Sequence, residues 1–242
     1  MNPPSLNMKK LIGHMKKVLP SGLRSRLRLC FDSFFIRSHE GTRRIGGQCQ
    51  WTVVASRLKP GTNVLSGGAG HDVSFELELA GSCGCNVALF DPSPTGCETM
   101  KKVGVLPAGL HFFPKGFAES SGLVSFSRPE SVEEGSFRSV CGAGRVDDIR
   151  FECLSYVDAL SAAGMHEVEL LKIDIEGFEY GFIDGVLESG VLPKQIAVEF
   201  HHFLPNISFS KTFRTIRNLR AAGYVLLYKK QCDMLFLHKS AF

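Results

Sequence analysis

From Asn63 onward, short apolar runs alternate with stretches of helical spacing, and that alternation leaves few folds open. Val64-Leu65, Asn86 to Phe90, Leu110 to Phe113, Val168 to Ile175 and Ile196 to Phe200 are short, apolar and bounded by turn residues, as buried strands are. Between them the spacing predicts helices over about Asp72 to Ala80, Cys97 to Val103, Leu154 to Ala163, Glu179 to Ser189 and Phe209 to Ala222, with Gly164 and Gly190 as stops. Strands alternating with helices imply an α/β fold with a mostly parallel, doubly wound sheet. Tyr224 to Tyr228 and Cys232 to Leu237 have no helix between them, so the last strand is expected to be antiparallel. Gly122 to Ser127 and Arg150 to Cys153 read as short strands flanking a polar insertion, in which Ser131 to Ser139 reads as a mobile loop.

The densest turn signal is NVLSGGAGHDVSFE, residues 63–76. A strand ends in Gly67, Gly68 and Gly70, and a helix follows. Glycines there admit positive φ and let a ligand approach the backbone. The first amides of the helix are unsatisfied and suit a polar or anionic group. In such a sheet, ligands bind beyond the C-terminal ends of the strands, and the polar residues gather there. Asp91 follows the second strand, Asp174 and Glu176 the fourth, and Glu199, His201 and His202 the fifth. Asp91 lies where an acid takes ribose hydroxyls in nucleoside-binding sheets, and a carboxylate can accept from both members of a vicinal diol. The plainer reading of Asp91 is a turn residue before Pro92. The turn is G-G-x-G-x-D, not the G-x-G-x-x-G of dinucleotide enzymes, and no Walker lysine follows. An adenosine-bearing ligand without a pyrophosphate fits best, and S-adenosylmethionine is the obvious one.

These segments resemble the FkbM-type methyltransferases. The residues that carry the resemblance are VLSGGAGHDVSFE (64–76), ALFDPSP (88–94), FFPKGFA (112–118), LLKIDIEGFEYGFIDGVL (170–187), IAVEFHHF (196–203) and LRAAGYVLL (219–227). The resemblance implies a seven-stranded, Rossmann-like class I sheet with S-adenosylmethionine as cofactor. It also implies methyl transfer, usually to an oxygen of a sugar or another small metabolite. By position it implies cofactor contacts at Ser66, Gly67, Gly68, Gly70, Asp72, Asp91, Ser93, Gly116 and Asp174, with Asp174 facing both methyl donor and acceptor. Asp174, Glu176, Glu199 and His201 are the candidate catalytic groups, with His202 beside them. In extended chain Asp174 and Glu176 share a face, as do Glu199 and His201. Glu176 and Glu179 would also favour the positive end of the helix they open. No metal is assigned, because the sequence fixes no ligand geometry, although His201, His202, Asp174 and Glu176 are residue types that hold a divalent ion. Ser66-Gly67-Gly68 departs from the family, which has a bulkier residue before the second glycine.

Charge is unevenly placed. Residues 1–31 carry seven bases and no acid, which leaves 21 bases against 24 acids in the remainder. The basic balance therefore belongs to an N-terminal extension, residues 1–40, and not to the methyltransferase-like domain, residues 41–242. The extension reads as two basic amphipathic helices. They suit cover helices, a membrane-surface contact through residues 8–36, or an organelle transit peptide. A net acidic body and a fourth strand ending in Asp174-Ile175-Glu176-Gly177, not in a [DN]PP[YF] loop, argue against a nucleic-acid acceptor. Eight cysteines without C-x-x-C or zinc-ligand spacing read as free thiols, which points to a cytoplasmic location. No apolar run approaches the length of a membrane span. Two other classes fit the same turn: a non-catalytic adenosyl-ligand binder or scaffold, and a nucleotide-binding oxidoreductase.

Overall fold

A computed structural model describes residues 36–37, 39–129, 137–139, 148–204 and 207–242. The two expected N-terminal helices and most of the expected loop over 131–139 lie outside the described residues.

In chain order the elements are β1 (Thr42–Ile45), β2 (Trp51–Val54), β3 (Asn63–Gly67), α1 (Ser74–Gly81), β4 (Asn86–Phe90), α2 (Pro94–Val103), β5 (Leu110–Phe113), β6 (Gly116–Phe117), β7 (Gly122–Ser127) and β8 (Arg138–Ser139). They continue with β9 (Ile149–Leu154), α3 (Tyr156–Ala163), β10 (Leu170–Ile173), α4 (Glu179–Glu188), β11 (Gln195–Glu199), α5 (Phe209–Ala221), β12 (Tyr224–Lys230) and β13 (Asp233–His238). Seven strands form the central sheet in the order β12-β13-β11-β10-β3-β4-β5. β3, β4, β5, β10 and β11 run parallel, and β13 is antiparallel to both of its neighbours, as expected. This is the class I, Rossmann-like arrangement. The chain winds outward from β3 in one direction through β4 and β5 and in the other through β10 and β11, so the switch point lies between β3 and β10.

Helices on both faces explain why the inner strands read as continuous apolar runs. One face packs Leu65, Phe90, Tyr156, Phe182, Ile183 and Phe200 into a core under α3, α4 and α5. The other packs Val53, Val64, Phe75, Leu79, Val87 and Leu235 under α1 and the β1–β2 hairpin. Truncating one such buried side chain to alanine typically costs about 2–5 kcal/mol.

Several boundaries differ from expectation for local reasons. α1 starts at Ser74 instead of Asp72, whose carboxylate lies just ahead of the helix and accepts from the Ser74 amide at 2.9 Å. α2 starts three residues earlier than expected: Ser93 Oγ accepts from Gly96 N, and Pro94 takes the first helical position. α3 starts later, because the chain through Leu154 belongs to β9. The basic lead-in Thr42–Ile45 is a strand, paired antiparallel with Trp51–Val54. β7 and β9 pair antiparallel across the insertion and, with β6 and β8, form a second sheet of four strands. Among the described residues no helix is long and apolar enough to cross a membrane, and every described cysteine is a free thiol.

Candidate active site

Register sets the site's floor. Gly67 lies level with Ile173 on one side and Phe90 on the other, so the tips of β3, β10 and β4 end together. Beyond them Gly68 takes φ +90° and Gly70 φ +52°, where an L side chain is strained. A Cβ on Gly68 would lie 2.0 Å from the Asp174 carbonyl oxygen, and one on Gly67 would lie 2.5 Å from Phe117 Cδ2. The double glycine therefore has a local cause. The β3 tip is wedged between the loop after β10 and the Phe117 ring.

Asp91 ties this turn to β4. Its Oδ2 accepts from the amides of Ala69 at 2.8 Å and Gly70 at 3.1 Å, and its Oδ1 accepts from Ser93 N at 2.7 Å. Gly96 makes room for it, since a Cβ there would lie 2.4 Å from the carboxylate. A carboxylate offers about four acceptor sites, and three are taken. One acceptor site remains in this arrangement.

Other expected cofactor contacts divide into two sets. Gly68, Gly70, Asp72, Asp91, Ser93, Gly116 and Asp174 line one cavity of about 240 Å³. Ser66 and Gly67 lie behind its wall. Ser66 is fully buried and donates to Glu76 Oε1 at 2.6 Å, while Gly67 faces Phe117. Asp72 lines the cavity, yet its carboxylate also holds Cys49 N at 2.8 Å and Ser74 Oγ at 2.9 Å. Burial opposes the charge on Asp72, but the amides of Cys49 and Ser74 outweigh it and lower the pKa. Ser66 and Glu76 belong to a buried group completed by Lys172, whose Nζ donates to Gly68 O and lies 3.8 Å from Glu76 and 4.0 Å from Asp174.

The candidate catalytic groups gather beside the turn. His201 is buried at 3% exposure, and its Nδ1 lies 2.7 Å from Glu179 Oε1. Its Nε2 faces Glu176 Oε2 at 3.5 Å and Asp174 Oδ1 at 3.7 Å. Burial opposes charge on this imidazole, but the hydrogen bond and charge of Glu179, with Asp174 and Glu176, push its pKa up to about 9. Glu199 is pushed up to about 7 by burial and by the charge of Asp174. Glu176 sits at φ +51°, followed by Gly177 at +104°. A left-handed residue other than glycine costs of order 1–3 kcal/mol and clusters at functional sites. Glu179, in the first turn of α4, also accepts from Gly177 N at 3.0 Å, so one oxygen serves both the helix start and the imidazole. His202 stands apart: its ring packs on Phe209 at 3.9 Å and its Nδ1 lies 3.3 Å from Thr212 Oγ1.

Trp51, Phe90, Phe117, Phe126, Phe137 and Phe178 form much of the apolar wall. Sequence reasoning missed most of these, together with Glu76, Lys172, Glu179 and Gly96 as site-builders. A signal existed for Lys172, the one charge in an otherwise apolar, fully buried strand. Among the described residues the cavity lining holds five carboxylates, those of Asp72, Glu76, Asp91, Asp174 and Glu176, and one lysine, Lys172.

Comparison with known proteins gives two kinds of result. Solved structures match weakly. The fibrillarin pre-rRNA processing protein of Methanococcus jannaschii is 10% identical, with a TM-score of 0.43 over 74% of this chain and 66% of that one. Monomeric WbdD is 14% identical, with a TM-score of 0.41 over 74% of this chain and 36% of its own. Precorrin-6y C5,15-methyltransferase from Geobacter metallireducens is 12% identical, with a TM-score of 0.39 over 75% and 82%. The chain thus spans less than two thirds of the first two. No curated protein matches the sequence. The methyltransferase FkbM domain, by contrast, matches residues 62–226, from the start of β3 into β12. With that match over most of its length, the chain belongs to the FkbM methyltransferase family, whose methyl donor is S-adenosylmethionine.

Proposed function

We propose that the protein transfers a methyl group from S-adenosylmethionine to a hydroxyl oxygen of a sugar or another small metabolite. The observation that carries this reading is that Asp174 and Glu176 line the same cavity as Gly68, Gly70 and Asp72. Acceptor and donor would share one space.

The residues present fit the donor. Its sulfonium is a cation, and the acid-rich lining suits a cation better than the pyrophosphate of a dinucleotide. Gly68, Gly70, Asp91 and Ser93 would hold it, and when bound it supplies an electrophilic methyl group. The aromatic wall excludes water from one side of the cavity. Asp174, whose side chain is 33% exposed, would accept the hydroxyl proton of the acceptor. Alignment of two reactants supplies roughly 7–11 kcal/mol. A general base adds about 10²–10⁴-fold, or roughly 3–5 kcal/mol. Orientation of the acceptor by the Asp174–Glu176 loop therefore outweighs proton removal.

The test pairs calorimetry with turnover. S-adenosylhomocysteine should bind and NAD should not, and a panel of sugars and hydroxylated metabolites should take up label from a methyl-labelled donor. Binding without transfer to any acceptor would favour the non-catalytic binder. Binding of NAD alone would favour the oxidoreductase and sink the proposal.

A further inference from the structure

We propose that Asp174, Glu176 and His201 bind a divalent metal ion at the acceptor end of the cavity, and that Glu179 holds the imidazole in place for it. Asp174 and Glu176 follow β10 and His201 follows β11, so adjacent strands deliver the three residues to one spot. Each offers a ligand atom, and the three atoms lie within 4.8 Å of one another.

The imidazole is already posed as a ligand. Its Nδ1 is taken by Glu179, which is itself fully buried, and this leaves Nε2 aimed at the two carboxylates. A ligating histidine commonly has its other nitrogen fixed by a carboxylate in this way. Nε2 stands 3.5 Å from Glu176 Oε2 and 3.7 Å from Asp174 Oδ1. These separations are long for charge-assisted hydrogen bonds. Neighbouring ligands of an octahedral ion with bonds of about 2.1 Å are about 3.0 Å apart, so the ion would draw the two imidazole–carboxylate edges in by roughly 0.5–0.7 Å.

Charge and backbone agree with this. Asp174, Glu176 and Glu179 face one imidazole, and Glu179 Oε2 is buried with no hydrogen-bond partner. Lys172 donates to Gly68 O and lies 3.8 Å from Glu76 and 4.0 Å from Asp174. The left-handed backbone at Glu176 places its carboxylate beside the imidazole. Imidazole with two carboxylates suits magnesium, manganese or zinc.

Asp174 and Glu176 line the cavity while His201 lies behind it, so the open coordination positions face the acceptor. Resting on the methyltransferase reading, the ion would take an acceptor with two adjacent oxygens, such as vicinal hydroxyls, and hold one of them for methylation.

The test uses the full chain, stripped of metal and titrated with MnCl₂. Free Mn²⁺ is counted by electron paramagnetic resonance, and binding is measured by calorimetry. Stoichiometric binding is expected, with a nitrogen modulation in the pulsed spectrum that His201→Gln removes. Glu176→Gln should weaken binding at least tenfold, and Glu179→Gln by about 10–100-fold. Melting curves and S-adenosylhomocysteine calorimetry check that each variant folds. Absence of stoichiometric Mn²⁺ binding by the wild type, or undiminished binding by folded Glu176→Gln, would overturn the site. Mn²⁺ binding without S-adenosylhomocysteine binding would leave the site standing and sink the methyltransferase reading. Methyl transfer by protein that binds no Mn²⁺ would do the reverse.

Discussion

The carbonyl oxygen of Asp174 occupies the place where a side chain on Gly68 would begin: a Cβ there would lie only 2.0 Å from it. Gly68 also holds φ +90°. Gly68→Ala should therefore push β3 and the Asp174 loop apart and add backbone strain of about 1–3 kcal/mol. Thermal melting and S-adenosylhomocysteine calorimetry check this. A variant with wild-type melting and affinity would show that the two backbones do not touch in solution.

Asp91→Ala should do more than remove a ligand contact. Three amides lose a buried acceptor, and hydrogen bonds to a charged group are worth about 1.5–3 kcal/mol each. We expect a loss of at least about 2–4 kcal/mol in urea unfolding, with weaker cofactor binding as the turn loosens. A variant as stable as wild type would dismiss the clamp.

Asp174→Asn keeps the shape of the loop and the carbonyl that meets Gly68, and it removes the charge. Turnover should fall roughly 10²–10⁴-fold if the carboxylate takes the proton. Affinity for S-adenosylhomocysteine should change little. Undiminished turnover in a folded variant would move the base elsewhere.

Glu76 is fully buried, and burial outweighs Lys172 and Ser66 to raise its pKa above the usual 4.5. The folded chain then holds this proton more tightly than the unfolded one. Its contribution to stability is full below about pH 4.5 and is lost as pH rises through the folded value. Glu76→Gln should remove that loss, so the stability difference between wild type and variant should shift toward the variant from pH 4.5 upward. Lys172→Met alone should cost about 3–5 kcal/mol, because Glu76 is left buried without its cation. A flat difference between wild type and Glu76→Gln across that range would show that the carboxyl titrates normally.

Cys49 is exposed and lines the cavity. Cys85 and Cys153 are buried, and burial pushes their thiols up to about 11 and about 12. Iodoacetamide should modify Cys49 well before either, and S-adenosylhomocysteine should slow it at Cys49. Mass spectrometry of partly labelled protein gives both rates; equal rates with and without ligand would place the ligand away from Cys49.

The parallel sheet was legible because strands covered on both faces must be apolar throughout, and Val87 to Phe90 or Leu170-Leu171 leave little choice. The smaller sheet was legible only in β7 and β9, since β6 and β8 are two residues each and carry no period. The β1–β2 hairpin was hidden by the arginines Arg43 and Arg44, which face solvent. In the site, sequence placed Asp91 at the right tip but could not count its acceptor sites, because Ala69 and Gly70 reach it only after the chain folds back. Nor could it separate His201 from His202. One residue of backbone turns the first toward Glu179 and the second toward Phe209.

The place of β13 between β11 and β12 sets an order of events. β12 emerges earlier in the chain, yet it has no seat in the sheet until β13 lies beside it. The two are therefore expected to close as a hairpin about Gln231, the left-handed residue at its bend, and to dock as a pair. Cys232 in that bend accepts a hydrogen bond from the Phe200 amide at 3.1 Å, one residue before His201. A chain that stalls before this docking would have the glycine turn after β3 but lack the bond that ties down the segment leading into His201.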